Sequence, residues 1–155
     1  MGLIEFVKGA GAKLGLGEKD PTQTEEFQER RKANLLAQHV MKLELKVDDL
    51  RVDFDDGIAT IQGKTESQAE REKVVLAIGN VEGVSQVDDM LQVIKAEPEA
   101  TYHTVVRGDT LSKLAKKHYG DAMKYPVIFE ANKPMLSDPD KIYVGQVLRI
   151  PTLDQ

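Results

Sequence analysis

The sequence predicts an α+β protein built from two small units in series, αββαβ and then βααβ. Three features lead there: alternating segments on both sides of Asp56-Gly57, helical stripes opened by Ser, Thr or Asp, and a proline-bearing joint, KAEPEAT, from Lys95 to Thr101. The joint has no hydrophobic period and sets small residues around Pro98, as linkers do. It divides the chain into 1–94 and 102–155, with 95–101 between them, and is too short to let the halves wander far apart.

In the first unit, Ala33, Leu36, Ala37 and Val40 follow the i, i+3, i+4, i+7 spacing of a helix face, so a helix is expected from about Thr24 to His39. Leu50, Val52 and Phe54 alternate with Arg51, Asp53 and Asp55, the period of a half-buried strand. Asp56-Gly57 is a hairpin signal, because a type I′ turn needs positive φ at both central residues. Ile58 to Gln62 is the expected return strand, ending at Gly63. Thr65 with Gln68, or Ser67 with Glu70, can form a capping box for a second helix that buries Val74, Ala77 and Ile78. Gly79-Asn80 is expected to stop that helix in a left-handed conformation. Val84 to Val93 reads as the last strand, with Val87, Leu91 and Val93 on one face.

In the second unit, His103 to Val106 is the first expected strand. Asp109 or Thr110 caps a helix whose Leu111, Leu114, Ala115 and His118 share a face. Gly120 ends it. Pro126 suits the first turn of a second helix, where its missing N–H has no partner to lose. That helix turns Val127, Ile128 and Ala131 inward and stops at Asn132-Lys133-Pro134. Val147 to Ile150 is the closing strand.

Composition excludes several classes of function. The 155 residues are 41% hydrophobic and 30% charged, with no Cys, so disulfides, thiolate metal sites and Cys nucleophiles are out. The net charge of −5 argues against non-specific nucleic-acid binding. The charge is uneven: residues 1–101 carry 20 acidic and 13 basic side chains (−7), residues 102–151 carry 5 and 8 (+3). A solvated surface accounts for the acidic half more simply than a docking site does. No run approaches the roughly 18 apolar residues of a membrane span. The opening MGLIEFVKGAGAKLGLGEKD is not expected to be a signal peptide, since Glu5, Lys8 and Lys13 break any apolar core. It reads as a short amphipathic helix with Leu3, Phe6, Val7, Ala10 and Leu14 on the side that packs on its own domain.

No catalytic constellation is visible. His39, His103 and His118 fall in different elements, and no HExxH, GxSxG or P-loop pattern is present. The pairs Asp48-Asp49, Asp55-Asp56 and Asp88-Asp89 lack the spacing of a calcium loop. The expectation is a monomeric, cytoplasmic protein that is not an enzyme.

Residues Tyr102 to Pro151, YHTVVRGDTLSKLAKKHYGDAMKYPVIFEANKPMLSDPDKIYVGQVLRIP, resemble a LysM domain throughout. That family binds N-acetylglucosamine polymers such as peptidoglycan. The resemblance implies a sugar groove with Gly108, Asp109, Thr110 and Leu111 on one wall and Asn132, Lys133, Pro134, Ile142 and Tyr143 on the other. Gly108, Asp109 and Leu111 also build the fold, so their presence alone does not establish binding. Val144 stands where the family often has Pro. The stretch LRVDFDDGIATIQGKTESQAEREKVVLAIGNVEGVSQVDDMLQV resembles a BON domain, through Gly57, Gly63 and Asn80 to Asp89. BON domains are associated with phospholipid or partner binding.

The whole chain resembles the cytoplasmic BON–LysM potassium-binding family of bacteria, from MGL-x-x-FVK-x-AG-x-KL through VLAIGNVEGV to IFEANKPMLSDPDKIYVGQVLRIP. That resemblance implies a K⁺ site in or beside the BON domain. Neutral carbonyl oxygens can replace the hydration shell of K⁺, and a helix C-terminus offers unpaired carbonyls at the negative end of a dipole. The expected ligands are the main-chain oxygens of Val7, Ala10, Gly79, Val81 and Val84. Read locally, Gly79 and Gly83 are ordinary cap and turn glycines; only the full-length resemblance favours the cation. The competing reading is a cell-envelope module that binds peptidoglycan.

Overall fold

The computed structural model of the protein describes residues 2–17 and 22–153. The first domain runs β1 (Gly2–Glu5), α1 (Glu25–Lys42), β2 (Asp48–Asp55), β3 (Ile58–Ser67), α2 (Gln68–Gly79) and β4 (Gln86–Lys95). Its sheet has the order β1-β4-β3-β2. β2 and β3 form the expected hairpin, with φ of 47° at Asp56 and 82° at Gly57. The α2 crossover makes β3 and β4 parallel, and Ala59 stands beside Val87 and Ile61 beside Asp89. The helices open as their caps predict. The Thr24 hydroxyl accepts from the Phe27 N–H at 3.1 Å, and the Ser67 hydroxyl from the Glu70 N–H at 3.2 Å. Leu36, Val40, Ile61, Val74, Val75, Ile78 and Val87 are sealed from solvent and form the core.

The second domain runs β5 (Thr101–Thr104), α3 (Leu111–Tyr119), a 3₁₀ turn (Ala122–Lys124), α4 (Tyr125–Ala131) and β6 (Val147–Ile150), with β5 and β6 antiparallel. Thr110, not Asp109, caps α3 by accepting from the Lys113 N–H. Asp109 instead receives the Val106 N–H at 2.9 Å and lies 2.8 Å from His103 Nε2. Leu111, Leu114 and Ala115 are buried, but His118 is exposed beside His103 rather than part of that face.

Three expectations are corrected. The N-terminal segment is not a helix: Gly2–Glu5 pair antiparallel with β4, Leu3 opposite Asp88 and Ile4 opposite Val87. A free sheet edge offers a row of backbone partners, and Gly9, Gly11 and Gly15 weaken any helix through that segment. β3 does not stop at Gly63 but continues to Ser67. Gly63 has φ 149° and faces an irregularity in β2, and a Cβ there would come 2.9 Å from the Asp48 carbonyl oxygen. Gly79 is not left-handed. The α2 cap is Asn80, at φ −83° and ψ 43°, and Gly79 is needed because a Cβ on it would fall inside the Phe6 ring.

The two domains are docked. Val147 belongs to the core of the first domain, and Tyr102 and Met135 pack against that core. Arg149 of β6 forms a buried ion pair with Glu72 of α2 at 2.8 Å. The second carboxylate oxygen of Glu72 accepts from Gln68 and from the Ala100 N–H at the end of the linker. With its remaining bonds satisfied, this pair ties the back of the second domain to α2.

Candidate cation site

Residues 6–17 lie along the turn that ends α2 and are stitched to it by main-chain hydrogen bonds. The Phe6 N–H donates to the Ser85 oxygen at 2.9 Å and the Gly83 N–H to the Lys8 oxygen at 2.7 Å. Farther on, the Ala12 N–H donates to the Asn80 oxygen and the Glu82 N–H to the Ala12 oxygen, both at 2.9 Å. Glycine permits this approach: Gly11 has φ 109°, and a Cβ there would collide with the Asn80 carbonyl. Phe6 fills the space left by Gly79, and Leu16 packs over Gly83.

This clasp sets two turns side by side, Val7–Ala10 and Val81–Val84, which contain four of the five expected ligand residues; the fifth, Gly79, ends α2 just before the second turn. The Val7 oxygen accepts from the Ala10 N–H and the Val81 oxygen from the Val84 N–H, each at 3.1 Å. Those bonds close the turns and leave each carbonyl a second lone pair. Among the described residues, the Ala10, Gly79 and Val84 oxygens accept no such turn or loop bond. No basic residue occupies the last turn of α2, so the negative end of its dipole has no side-chain counter-charge from its own helix. Among the described residues, no group of three or more His, Asp or Glu side chains is placed to hold a metal ion.

The second domain supplies a third wall. Gly145 sits against the first turn, and a Cβ there would lie 2.8 Å from the Ala10 Cβ and 3.3 Å from that of Val7. Asn80 joins all three parts. Its backbone holds Ala12, while its side chain pairs with β6, donating to the Val147 oxygen at 2.8 Å and accepting from the Val147 N–H at 2.9 Å. In the sequence Asn80 was legible only as a helix stop, and the close approaches at Gly11 and Gly145 and the Glu72–Arg149 pair were not legible. Arg149 carried the one legible signal, a charge in the otherwise apolar run VLRI, which demands a buried partner.

The residues of the expected sugar groove divide. Gly108 and Thr110 are exposed on the loop before α3, and Lys133 pairs with Glu130 at 2.8 Å. Leu111 is core. Asn132 is buried and its amide serves the fold, donating to the Ile128 and Arg149 oxygens and accepting from the Arg149 N–H. Pro134 is exposed, Ile142 half-buried, and Tyr143 borders the cleft between the domains.

A family model for the BON domain matches residues 28–95, and one for the LysM domain matches residues 103–151. Over 157 aligned positions the chain is 42% identical to a protein of Escherichia coli O6:H1 named potassium binding protein Kbp, covering 97% of this chain and 99% of that one. The chain belongs to the Kbp family. More partial relatives include an uncharacterized protein of Deinococcus radiodurans, 37% identical over 59% of this chain and 40% of that one. An esterase of Mycobacterium tuberculosis is 55% identical over 34% of this chain and 11% of its own. Likeness to Kbp spans both domains, whereas the BON match begins at residue 28, beyond the N-terminal half of the clasp. Among the described residues, no helix is long and apolar enough to cross a membrane.

Proposed function

We propose that the protein binds potassium selectively in the cytoplasm, as a sensor or buffer whose parts close around the occupied site, and that it is not an enzyme. The observation that carries this is the end-to-end identity of 42% with a protein named for potassium binding. The main-chain oxygens of Val7, Ala10, Gly79, Val81 and Val84 are the proposed ligands. A cage of neutral carbonyls suits a large monovalent ion, because it replaces water without the dense negative charge that divalent ions require. Gly145 and Asn80 border the same turns, so an ion that orders them also favours the docked second domain. The ion shifts that balance by as much as its affinity differs between the open and docked forms.

Thermal unfolding tests this. At a hundredfold excess over the dissociation constant, KCl adds about 2.7 kcal/mol, a rise on the order of 5–10 °C for a chain of this size. NaCl at equal ionic strength gives no such rise, and removing residues 1–12 abolishes the difference. Equal effects of the two salts contradict the proposal. The exposed loop at Gly108 to Thr110 supports a second reading, in which the LysM domain takes an N-acetylglucosamine polymer at its outer surface. Retention on peptidoglycan beads that is lost in Thr110→Ala supports it, and absence of retention removes it.

A further inference from the structure

A half-open cleft of about 230 Å³ lies between the two domains. Leu43, Leu76 and Ala77 of the first domain and Met135 of the second give it apolar walls. Among the described residues, no Asp, Glu, Lys or Arg lines it. Gln146, on its second-domain side, is only 4% exposed. The Gln146 Oε1 accepts from the Tyr143 N–H at 3.2 Å, whereas among the described residues its Nε2 finds no partner. Among the described residues no unpaired side-chain nitrogen or oxygen is fully sealed from the outside, so this amide nitrogen is accessible, and the cleft is the open space its residue borders. Tyr143 and His39 complete the polar rim. Burial raises the Tyr143 pKa and keeps its hydroxyl a donor; burial, then Lys42, lowers that of His39 and keeps it neutral near pH 7.

Water alone is a poor tenant. The space exceeds the roughly 30 Å³ share of one water several-fold, and waters against its Leu43, Leu76, Ala77 and Met135 walls find hydrogen-bond partners only at the rim. A charged ligand would meet no opposite charge. We propose that the interdomain cleft is a binding site for a small uncharged molecule with a ring-sized apolar body and one carbonyl-type acceptor, received by the Gln146 amide. Gly11, Ala12 and Asn80 of the clasp also border this space, so the two sites adjoin, but the proposed ligand does not depend on the reading of the clasp as a potassium site. Because the cleft's walls come from both domains, its ligand also holds them together.

The test uses the full chain with ¹³C-labelled methionine methyls, titrated with benzamide and with toluene as the acceptor-free counterpart. The Met135 methyl is expected to shift saturably with benzamide, with a dissociation constant on the order of 1 mM for so small a ligand. The exposed Met41, Met90 and Met123 stay put. Toluene binds about tenfold more weakly, the worth of one satisfied buried donor. Gln146→Leu removes the donor without adding a charge, and is expected to weaken benzamide about tenfold while leaving toluene unchanged. An unmoved Met135, a shift at Met41, Met90 and Met123 equal to that at Met135, or equal affinity for the two probes in the unaltered protein overturns the proposal.

Discussion

The ends of α2 and α3 both carry a glycine, and the two glycines do opposite jobs. Gly120 closes α3 in the left-handed conformation, φ 75°, with nothing within 4 Å of where a Cβ would be. Its role is conformational. Gly79 closes α2 without a left-handed twist, and its missing side chain is the space that Phe6 fills. The electrostatics differ in the same sense. The last turn of α3 carries Lys116, Lys117 and His118, which answer the negative pole of the helix. The last turn of α2 carries no basic residue, and it is buried under the N-terminal segment and the second domain. One helix end is finished by its own side chains. The other is left negative and enclosed, which is the condition under which an added cation contributes most.

Substitutions separate the two ends. Gly79→Ala is expected to have the largest effect, because Phe6 must leave its site. Losing a buried aromatic and overpacking the turn cost about 3 kcal/mol, read as a lower urea midpoint, and the potassium-dependent rise in melting temperature disappears. Asn80→Ala leaves the Val147 N–H and carbonyl without their partner and costs about 2 kcal/mol; small-angle scattering then shows an expanded molecule. Gly120→Ala strains one left-handed residue by about 1 kcal/mol and leaves the potassium response unchanged. The smallest effect is at Asp109. The Val106 N–H, and after it His103, hold its carboxyl below the usual 3.8. A depressed carboxylate stabilises the fold above the unfolded value, and that contribution is lost as the pH falls through the lower folded value. Melting curves of Asp109→Asn between about pH 2 and 6 are therefore expected to fall less steeply toward acid than those of the unaltered chain.

The local signals were legible in the sequence. Thr24 and Ser67 cap where their spacing to Phe27 and Glu70 places them, Asp56-Gly57 turns the hairpin, and β6 has the expected bounds. Contacts between distant residues were not. Leu3, Phe6, Val7, Ala10 and Leu14 have helical spacing, yet the open edge of β4, more than 80 positions along the chain, takes Gly2–Glu5 as a strand. Period alone carries no information about a partner so remote. Gly79 was visible as a helix stop, but the ring that needs its space was not. Asn80 looked like an ordinary cap residue, and its pairing with Val147 depends on how two domains meet, which neither domain's own pattern encodes. The five expected ligand residues were named through resemblance to a family; local residue types alone favoured plain turns.

The most direct test is the carbonyl ¹³C spectrum of the protein titrated with KCl against NaCl at constant ionic strength. Saturable shifts are expected, with KCl alone, at Val7, Ala10, Gly79, Val81 and Val84, while the carbonyls at the end of α3 stay unmoved. Identical spectra in the two salts, or shifts confined to the acidic side chains of the surface, would contradict it.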